Sequence, residues 1–311
     1  MEFRHVPVLL NQCIKGLHIK PDGVYVDGTI GGAGHSYHIC KELGRGGTLI
    51  GIDRDRDALA AAEERLGGFS CRKILVQGDY ADVREILSEQ GIEGIDGALL
   101  DIGVSSFQLD NPARGFSYMQ DAPLDMRMDQ EGGLTAFDVV NDYSASELTE
   151  IISKYGEERW ASRIASFIVK RRQTEPIRTT QELVDVIKQA IPAGARRTGP
   201  HPAKRTFQAI RIEVNDELGQ LERAVDEYLD VMRPGGRLAI ITFHSLEDRI
   251  VKERFAKRAN PCTCPPEFPV CVCGKVADVR KVTRKPIAPE GDELEENPRA
   301  RSAKLRICEK I

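Results

Sequence analysis

Residues 24–36 read VYVDGTIGGAGHS, and this stretch decides the fold. A short apolar run ends in Asp27, and four glycines follow within the seven residues 28–34. The pattern predicts a buried strand, a tight turn and the first turn of a helix. Glycines let a backbone approach a ligand closely, and a helix N-terminus presents free N–H groups. We therefore predict a ligand site at this turn.

Composition is that of a globular chain with room for an insertion. Of 311 residues, 41% are hydrophobic and 30% are charged. The longest useful apolar run is Leu238–Phe243, whereas a membrane helix needs roughly 20 residues. The N-terminal MEFRH lacks the layout of a signal peptide. We expect a cytoplasmic protein with no membrane partner.

Strand and helix patterns alternate through much of the chain. Buried strands are predicted at 24–27, 48–53, 74–76, 95–102 and 238–243, and helices at 36–43, 57–66 and 83–90. The alternation of Ala303, Leu305 and Ile307 with lysine and arginine predicts a last strand, antiparallel to the others. This order indicates an α/β fold with a mostly parallel sheet.

Four aspartates stand where predicted strands end: Asp27, Asp53, Asp79 and Asp101. A single aspartate after a strand is common, because its side chain hydrogen-bonds to the backbone of the turn. Ligands of parallel sheets bind at the carboxyl ends of the strands. Aspartates at the ends of four successive strands therefore predict one shared ligand site.

The alternation stops after residue 108. Capping pairs Ser144/Glu147 and Thr179/Glu182 open helices in the region 109–205, and a further helix is predicted at 157–172. Between Arg163 and Arg211 there are 11 basic and 3 acidic residues, whereas the whole chain has a net charge of −4. A basic segment inside an acidic protein indicates a polyanionic partner. Beyond it, apolar residues at helical spacing predict one long helix over 207–229.

The pocket chemistry separates two cofactor classes. A dinucleotide fingerprint would need glycine at position 37, which is Tyr37. S-adenosylmethionine carries a cationic sulfonium and an amino group, and both suit Asp27 and Asp101. Asp53 would then accept hydrogen bonds from the ribose, and Tyr80 would stack on adenine near Asp79.

The whole chain resembles the bacterial ribosomal RNA small subunit methyltransferase H family, also called MraW. The matching stretches are VDGTIGGAGHS (26–36), DIGVSS (101–106) with QLD (108–110), RGFSYMQDAPLDMRMDQ (114–130), HPAKRTFQAIRIEVNDEL (201–218), RPGGRLAIITFHSLEDR (233–249) and NPRARSAKLRI (297–307). The sequence departs from the family pattern at Gln12, at Phe107 and in a cluster of cysteines.

The resemblance implies a class I, Rossmann-like methyltransferase core at 1–108 and 206–311, with an all-helical substrate-recognition insertion at 109–205. It implies S-adenosylmethionine contacts at Ala33, Gly34, His35, Asp53, Tyr80, Asp101 and Gln108. It further implies methylation of N4 of a cytidine near the P-site, in the decoding centre of 16S rRNA in the small ribosomal subunit.

Asp101 and His244 are the candidate catalytic residues. Asp101 would orient the exocyclic amine of cytosine, or would only hold the cofactor. His244 would contact a base flipped out of its stack or take its proton, or would only cap a helix. Phosphates would be bound by Arg196, Arg197, Lys204 and Arg205.

Other functions stay open on the sequence alone. One is a non-catalytic RNA-binding or ribosome assembly factor, and another is an amino methyltransferase acting on DNA or another RNA; a nicotinamide oxidoreductase is disfavoured by Tyr37. No metal is assigned to catalysis. Cys262, Cys264, Cys271 and Cys273 either form a zinc site or remain reduced or redox-labile thiols.

Overall fold

A seven-stranded sheet forms the centre of the computed structural model, which describes residues 7–103, 111–130, 132–197, 199–265 and 267–311. Its strands are β1 (Val24–Asp27), β2 (Thr48–Asp53), β3 (Arg72–Gln77), β4 (Ile95–Asp101), β5 (Met232–Thr242), β6 (Val279–Lys281) and β7 (Lys304–Lys310). The strands lie in the order β3-β2-β1-β4-β5-β7-β6.

Pairing in the sheet is parallel from β3 through to β5. Tyr25 in β1 lies between Leu49 of β2 and Gly97 of β4. β7 then pairs antiparallel with β5 and with β6, which confirms the predicted antiparallel last strand. The predicted α/β class with a mostly parallel sheet is also confirmed.

Successive strand residues face opposite sides of the sheet, and both sides are buried. Tyr25 and Leu49 belong to one hydrophobic cluster, whereas their neighbours Val26 and Ile50 belong to another. Helices therefore cover both faces. Those of this part of the chain are α1 (Leu10–Leu17), α2 (Gly34–Glu42), α3 (Arg56–Leu66) and α4 (Val83–Glu89).

Helix α1 was not predicted. It begins at Leu10 and buries Cys13 and Leu17, one helical turn apart. Strand β5 also begins earlier than predicted, at Met232. Its pairing with β4 shifts register between Ile95 and Gly97, and Gly235 has a positive φ of 80°. Residues 233–236, RPGG, therefore form an irregularity inside a strand.

The chain divides into two units. The first comprises residues up to Gly103 together with Leu218–Ile311, and the second is Val104–Glu217. The sequence placed these boundaries at 108/109 and 205/206. The second unit contains α5 (Ala136–Asp142), α6 (Ala145–Lys154), α7 (Ala161–Arg172), α8 (Thr180–Ala190) and α9 (Lys204–Asn215).

Capping boxes begin three of these helices. The boxes predicted at Ser144/Glu147 and Thr179/Glu182 are both formed, and the structure adds one at Thr135/Asp138. Helix α7 begins at Ala161, later than the predicted residue 157, because Glu157 has a left-handed φ of 48° that cannot belong to a helix.

One long helix was predicted over 207–229, and this prediction is wrong. Helix α9 ends at Asn215 and α10 (Glu217–Val231) follows, because Asp216 is left-handed at φ 47°. The Asn215 side-chain amide is held by a loop that is distant in the chain. It donates to the Met126 carbonyl oxygen and accepts from the Met128 backbone amide, both at 2.8 Å. Apolar spacing alone did not reveal this break.

The remaining helices are α11 (Ser245–Ala259) and α12 (Asp292–Glu296). Within the described parts of the chain, no helix combines the length and the apolar character needed to cross a bilayer.

Candidate functional site: the acidic edge of the sheet

Four acidic side chains meet at the carboxyl edge of the parallel strands. Asp27, Asp53 and Asp101 are the last residues of β1, β2 and β4. Asp79 lies just beyond β3 and caps the short 3₁₀ helix Tyr80–Asp82. The strands that carry these residues are neighbours in the sheet, so their ends lie side by side.

Asp27 is buried beneath the glycine turn. One carboxylate oxygen accepts the Ser36 hydroxyl at 2.6 Å, and the other accepts the Thr29 amide at 3.3 Å. Burial raises the pKa of Asp27 to about 6, although the hydrogen bonds from Ser36 and Thr29 oppose this shift. Asp27 therefore links the end of β1 to the first turn of α2.

The turn itself is held from the neighbouring strand. The Gly31 amide donates to Oδ2 of Asp53 at 2.9 Å, and Gly31 has a positive φ of 46°. A Cβ built on Gly32 would have no heavy atom of the described residues within 4 Å, which leaves room for a ligand beside the backbone there. The Gly32 carbonyl accepts Arg65 from α3 at 2.8 Å, a contact that no sequence pattern indicated.

Ala33, Gly34 and His35, three predicted cofactor residues, form the start of α2. Ala33 caps the helix in a left-handed conformation, with φ 56°. A Cβ on Gly34 would lie 2.6 Å from Cγ of Pro7, so only glycine fits there. The buried His35 ring donates through Nε2 to the Val8 carbonyl at 2.9 Å. These observations explain the residue types locally; cofactor contact stays a prediction.

Asp53 is the predicted ribose acceptor. Besides Gly31, its carboxylate accepts the Asp55 amide at 2.9 Å. Burial raises the pKa of Asp53, and these backbone donors oppose that rise. Its carboxylate is therefore held in one orientation at the edge.

Tyr80 and Asp79 form the other side of the edge. Oδ2 of Asp79 accepts a hydrogen bond from Arg54, and Oδ1 accepts the Ala81 amide at 2.9 Å. Tyr80 packs beside Gly28, where an added Cβ would lie 3.2 Å from Cβ of Tyr80. Arg54 was not predicted, and it neutralises the carboxylate that was expected near adenine.

Asp101 is the least satisfied acid of the group. Its amide donates to the Thr29 hydroxyl at 2.7 Å, and Oδ2 lies 3.8 Å from Nδ1 of His35. Oδ1 is buried and has no hydrogen-bond partner within the described chain. Burial, with Asp27 and Glu247 nearby, raises the pKa of Asp101 to about 8. The side chain as a whole remains 21% exposed.

His244 is the N-cap of α11. Its Nδ1 accepts the Glu247 amide at 3.4 Å, and Glu247 accepts the Phe243 amide at 2.7 Å. Nε2 of His244 lies 2.9 Å from Oε1 of Glu247. The capping alternative is thus observed, while the catalytic role of His244 stays a prediction. Gln108, the last predicted cofactor residue, lies outside the described residues.

A cationic ligand fits this edge. Asp27 and Asp101 are buried carboxyls with raised pKa values, and Asp53, which holds the Gly31 amide, ends the strand next to β1. Their ionised forms would be stabilised by a positive charge, which S-adenosylmethionine carries on its sulfur and its amino group. Strand order, the antiparallel β7 and this acidic edge define a class I methyltransferase that uses S-adenosylmethionine.

Comparison with known proteins agrees with this class. The profile of the MraW methylase family matches residues 2–311, and the chain belongs to that family. It is 58% identical, over 311 residues and the full length of both chains, to a Clostridioides difficile strain 630 protein named ribosomal RNA small subunit methyltransferase H. Proteins of the same name from Lachnospira eligens and Acetivibrio thermocellus are also 58% identical, over 100% of this chain and 99% and 100% of theirs.

Proposed function

We propose that this protein methylates N4 of a cytidine in the decoding centre of 16S rRNA, within the small ribosomal subunit. The observation that carries the proposal is that Oδ1 of Asp101, at the end of β4, is buried and has no hydrogen-bond partner among the described residues. A buried carboxylate oxygen that receives no hydrogen bond is suited to accept one from a substrate amine. The names of the relatives support ribosomal RNA as the class of substrate.

The chemistry requires an acceptor because the exocyclic amine of cytosine is a poor nucleophile whose lone pair is delocalised into the ring. When bound, S-adenosylmethionine supplies an electrophilic methyl group on a positively charged sulfur. Asp101 accepts a hydrogen bond from the amine, which aims the nitrogen lone pair at the methyl carbon. The nitrogen–methyl bond would form as the methyl–sulfur bond breaks, which leaves a neutral thioether, and Asp101 would take the amine proton.

The environment of Asp101 suits this proton transfer. A pKa of about 8 lies near neutral pH, where a proton acceptor is most effective. His35 faces Oδ2 from 3.8 Å, and Thr29 fixes the backbone. Oδ1 has no hydrogen-bond partner among the described residues, and we assign it to the amine on this ground.

The second unit would select the RNA. Arg196, Arg197, Lys204 and Arg205 are all exposed. Arg196 and Arg205 donate to backbone carbonyls and form no ion pair within the described parts of the chain. Arg197 and Lys204 have no ion pair with any described acid. Such charges favour phosphate contacts, and we assign substrate recognition to the insertion at 109–205 on this ground.

The test is transfer of labelled methyl groups. Purified protein is incubated with labelled S-adenosylmethionine and, separately, small ribosomal subunits, naked 16S rRNA and DNA, and the modified nucleoside is mapped. We expect N4-methylcytidine at one decoding-centre position, and none with Asp101→Asn. Label in DNA or in another RNA region would show that the proposed substrate is wrong. No label with any of the three substrates would favour a non-catalytic binding factor.

A further inference from the structure

Four cysteine sulfurs lie together in the segment between α11 and β6. The Sγ atoms of Cys262, Cys264, Cys271 and Cys273 are all within 4.8 Å of one another. Cys271 lies 3.5 Å from Cys262, 3.8 Å from Cys264 and 3.4 Å from Cys273, and the Cys262–Cys273 distance is 3.9 Å. None of these distances is that of a disulfide, which is about 2.05 Å.

These distances match the edges of a metal tetrahedron. With zinc–sulfur bonds of about 2.3 Å, neighbouring sulfurs of a tetrahedral site lie about 3.8 Å apart. We propose that the four cysteines bind one structural zinc ion, in a closed tetrathiolate site. Four thiolates select zinc over magnesium or calcium, which prefer oxygen ligands.

The surrounding segment has little else to hold its shape. Apart from Pro266, residues 260–278 are described and contain no helix or strand. Apolar side chains point outwards, with Val272 72% and Val276 84% exposed, so they form no core. Small segments without a core are commonly stabilised by a metal or by disulfides. A zinc ion would supply the missing cross-link.

Backbone features fit a ligand role for the sulfurs. The Val272 amide donates to Sγ of Cys264 at 3.3 Å, a type of bond that orients metal-ligating groups. Gly274 follows Cys273 directly and has a positive φ of 65°, which turns the chain away from the cluster.

The two ends of the segment are already held together. Nε of Arg258, in the last turn of α11, donates to both carboxylate oxygens of Asp278 at 2.9 and 3.0 Å. Lys310 donates to the same carboxylate at 2.9 Å. Because this clamp closes the loop, metal binding has less chain entropy to overcome.

The location separates this site from methyl transfer. Val279 begins β6 and pairs with Lys310, at the end of β7, while Arg237 in the early part of β5 pairs with Glu309. The cluster therefore lies at the amino edge of the parallel strands, whereas Asp27 and Asp101 end them at the carboxyl edge. Zinc here would stabilise the segment and take no part in the reaction.

Metal content tests the proposal directly. The full chain is purified under reducing conditions without a nickel column, and zinc per chain is measured by mass spectrometry. We expect about one zinc ion per chain, released when a mercurial reagent modifies the thiols. Replacement by Co²⁺ should give the visible spectrum of a tetrahedral thiolate site.

Matched variants give the comparison. Cys264→Ser/Cys273→Ser should lose zinc and become cleavable by protease within 260–278, while S-adenosylmethionine affinity stays within about twofold of the unmodified protein. Val272 lies between two of the cysteine ligands but is not itself a ligand, so Val272→Ser should retain zinc. Reduced protein that binds neither zinc nor Co²⁺, or a double variant that retains full zinc, would overturn the proposal.

Discussion

The Thr29 hydroxyl oxygen accepts the backbone amide of Asp101 at 2.7 Å. This bond joins the loop after β1 to the last residue of β4. It fixes the backbone from which the Asp101 carboxyl projects, next to the turn at Gly31 and Gly32. Thr29 is therefore a positioning residue for the candidate catalytic acid.

Replacing Thr29 by valine should lower both stability and activity. The change keeps the shape but removes the acceptor of the Asp101 amide, and an unsatisfied buried donor costs about 1–3 kcal/mol. We expect an unfolding free energy lower by that amount, and a kcat reduced about tenfold as Asp101 loses its position. Thr29→Ser retains the hydroxyl and should restore both. Equal kcat in Thr29→Val would remove the positioning role.

Asp101→Asn should stop methyl transfer without harming the fold. An amide cannot take the amine proton, so we expect a loss of at least about 100-fold in kcat. At about pH 8 the variant should be more stable than the parent, because a buried carboxyl with a raised pKa opposes ionisation. Denaturant titrations and methyl-transfer assays measure the two effects.

Asp96→Asn is the matched control, since Asp96 lies near the opposite end of the same strand. Asp96 forms ion pairs with Lys20 and Arg233, both at 3.0 Å. Its replacement should lower stability and leave kcat unchanged. Near-normal activity in Asp101→Asn would exclude proton transfer to Asp101.

The affinity for S-adenosylmethionine should depend on pH. The pKa of Asp101 is about 8 and that of Asp27 about 6 in the free protein. A cationic ligand favours the carboxylates, so binding releases protons and the affinity rises as pH increases towards 8. The neutral sulfur of S-adenosylhomocysteine should give a shallower rise. Calorimetry in two buffers detects the protons, and identical pH profiles for both ligands would contradict this account.

Two replacements of His244 separate capping from chemistry. His244→Ala removes the cap of α11, so we expect the free energy of unfolding to fall by about 1 kcal/mol. We also expect this variant to lose activity. His244→Asn provides another good capping acceptor and should recover the stability but not the methyl transfer. If the asparagine variant is fully active, His244 serves the helix alone.

Charge reversal of Arg196 and Arg197 should weaken RNA binding only. Each lost phosphate contact lowers the slope of log affinity against log salt by about 0.7–0.9. S-adenosylmethionine affinity should not change, because the candidate cofactor residues that the structure describes, from Ala33 to Asp101, belong to the other unit. Lys285→Glu, an exposed charge of the first unit, is the control and should leave the slope unaltered. An unchanged slope in the double reversal would show that this surface does not bind RNA.

Local patterns carried much of the fold. Apolar runs bounded by turn residues located β1, β2 and β4, and the capping pairs at Ser144 and Thr179 located two helix starts. The order of these elements determined a mostly parallel sheet, and parallel pairing placed Asp27, Asp53 and Asp101 at one edge. These features depend on side-chain periodicity and backbone preference, which are determined by residues close together in the sequence.

Only the tertiary structure decided the partners. Arg54 neutralises Asp79, Arg65 holds Gly32, and Thr29 supports Asp101, all through contacts between separate elements. The break at Asp216 likewise depends on Asn215 being held by a distant loop. The pKa of Asp101 follows from burial and nearby carboxyls, which exist only once the strands pair. Such contacts join residues far apart in the chain, and their energies are absent from any local pattern.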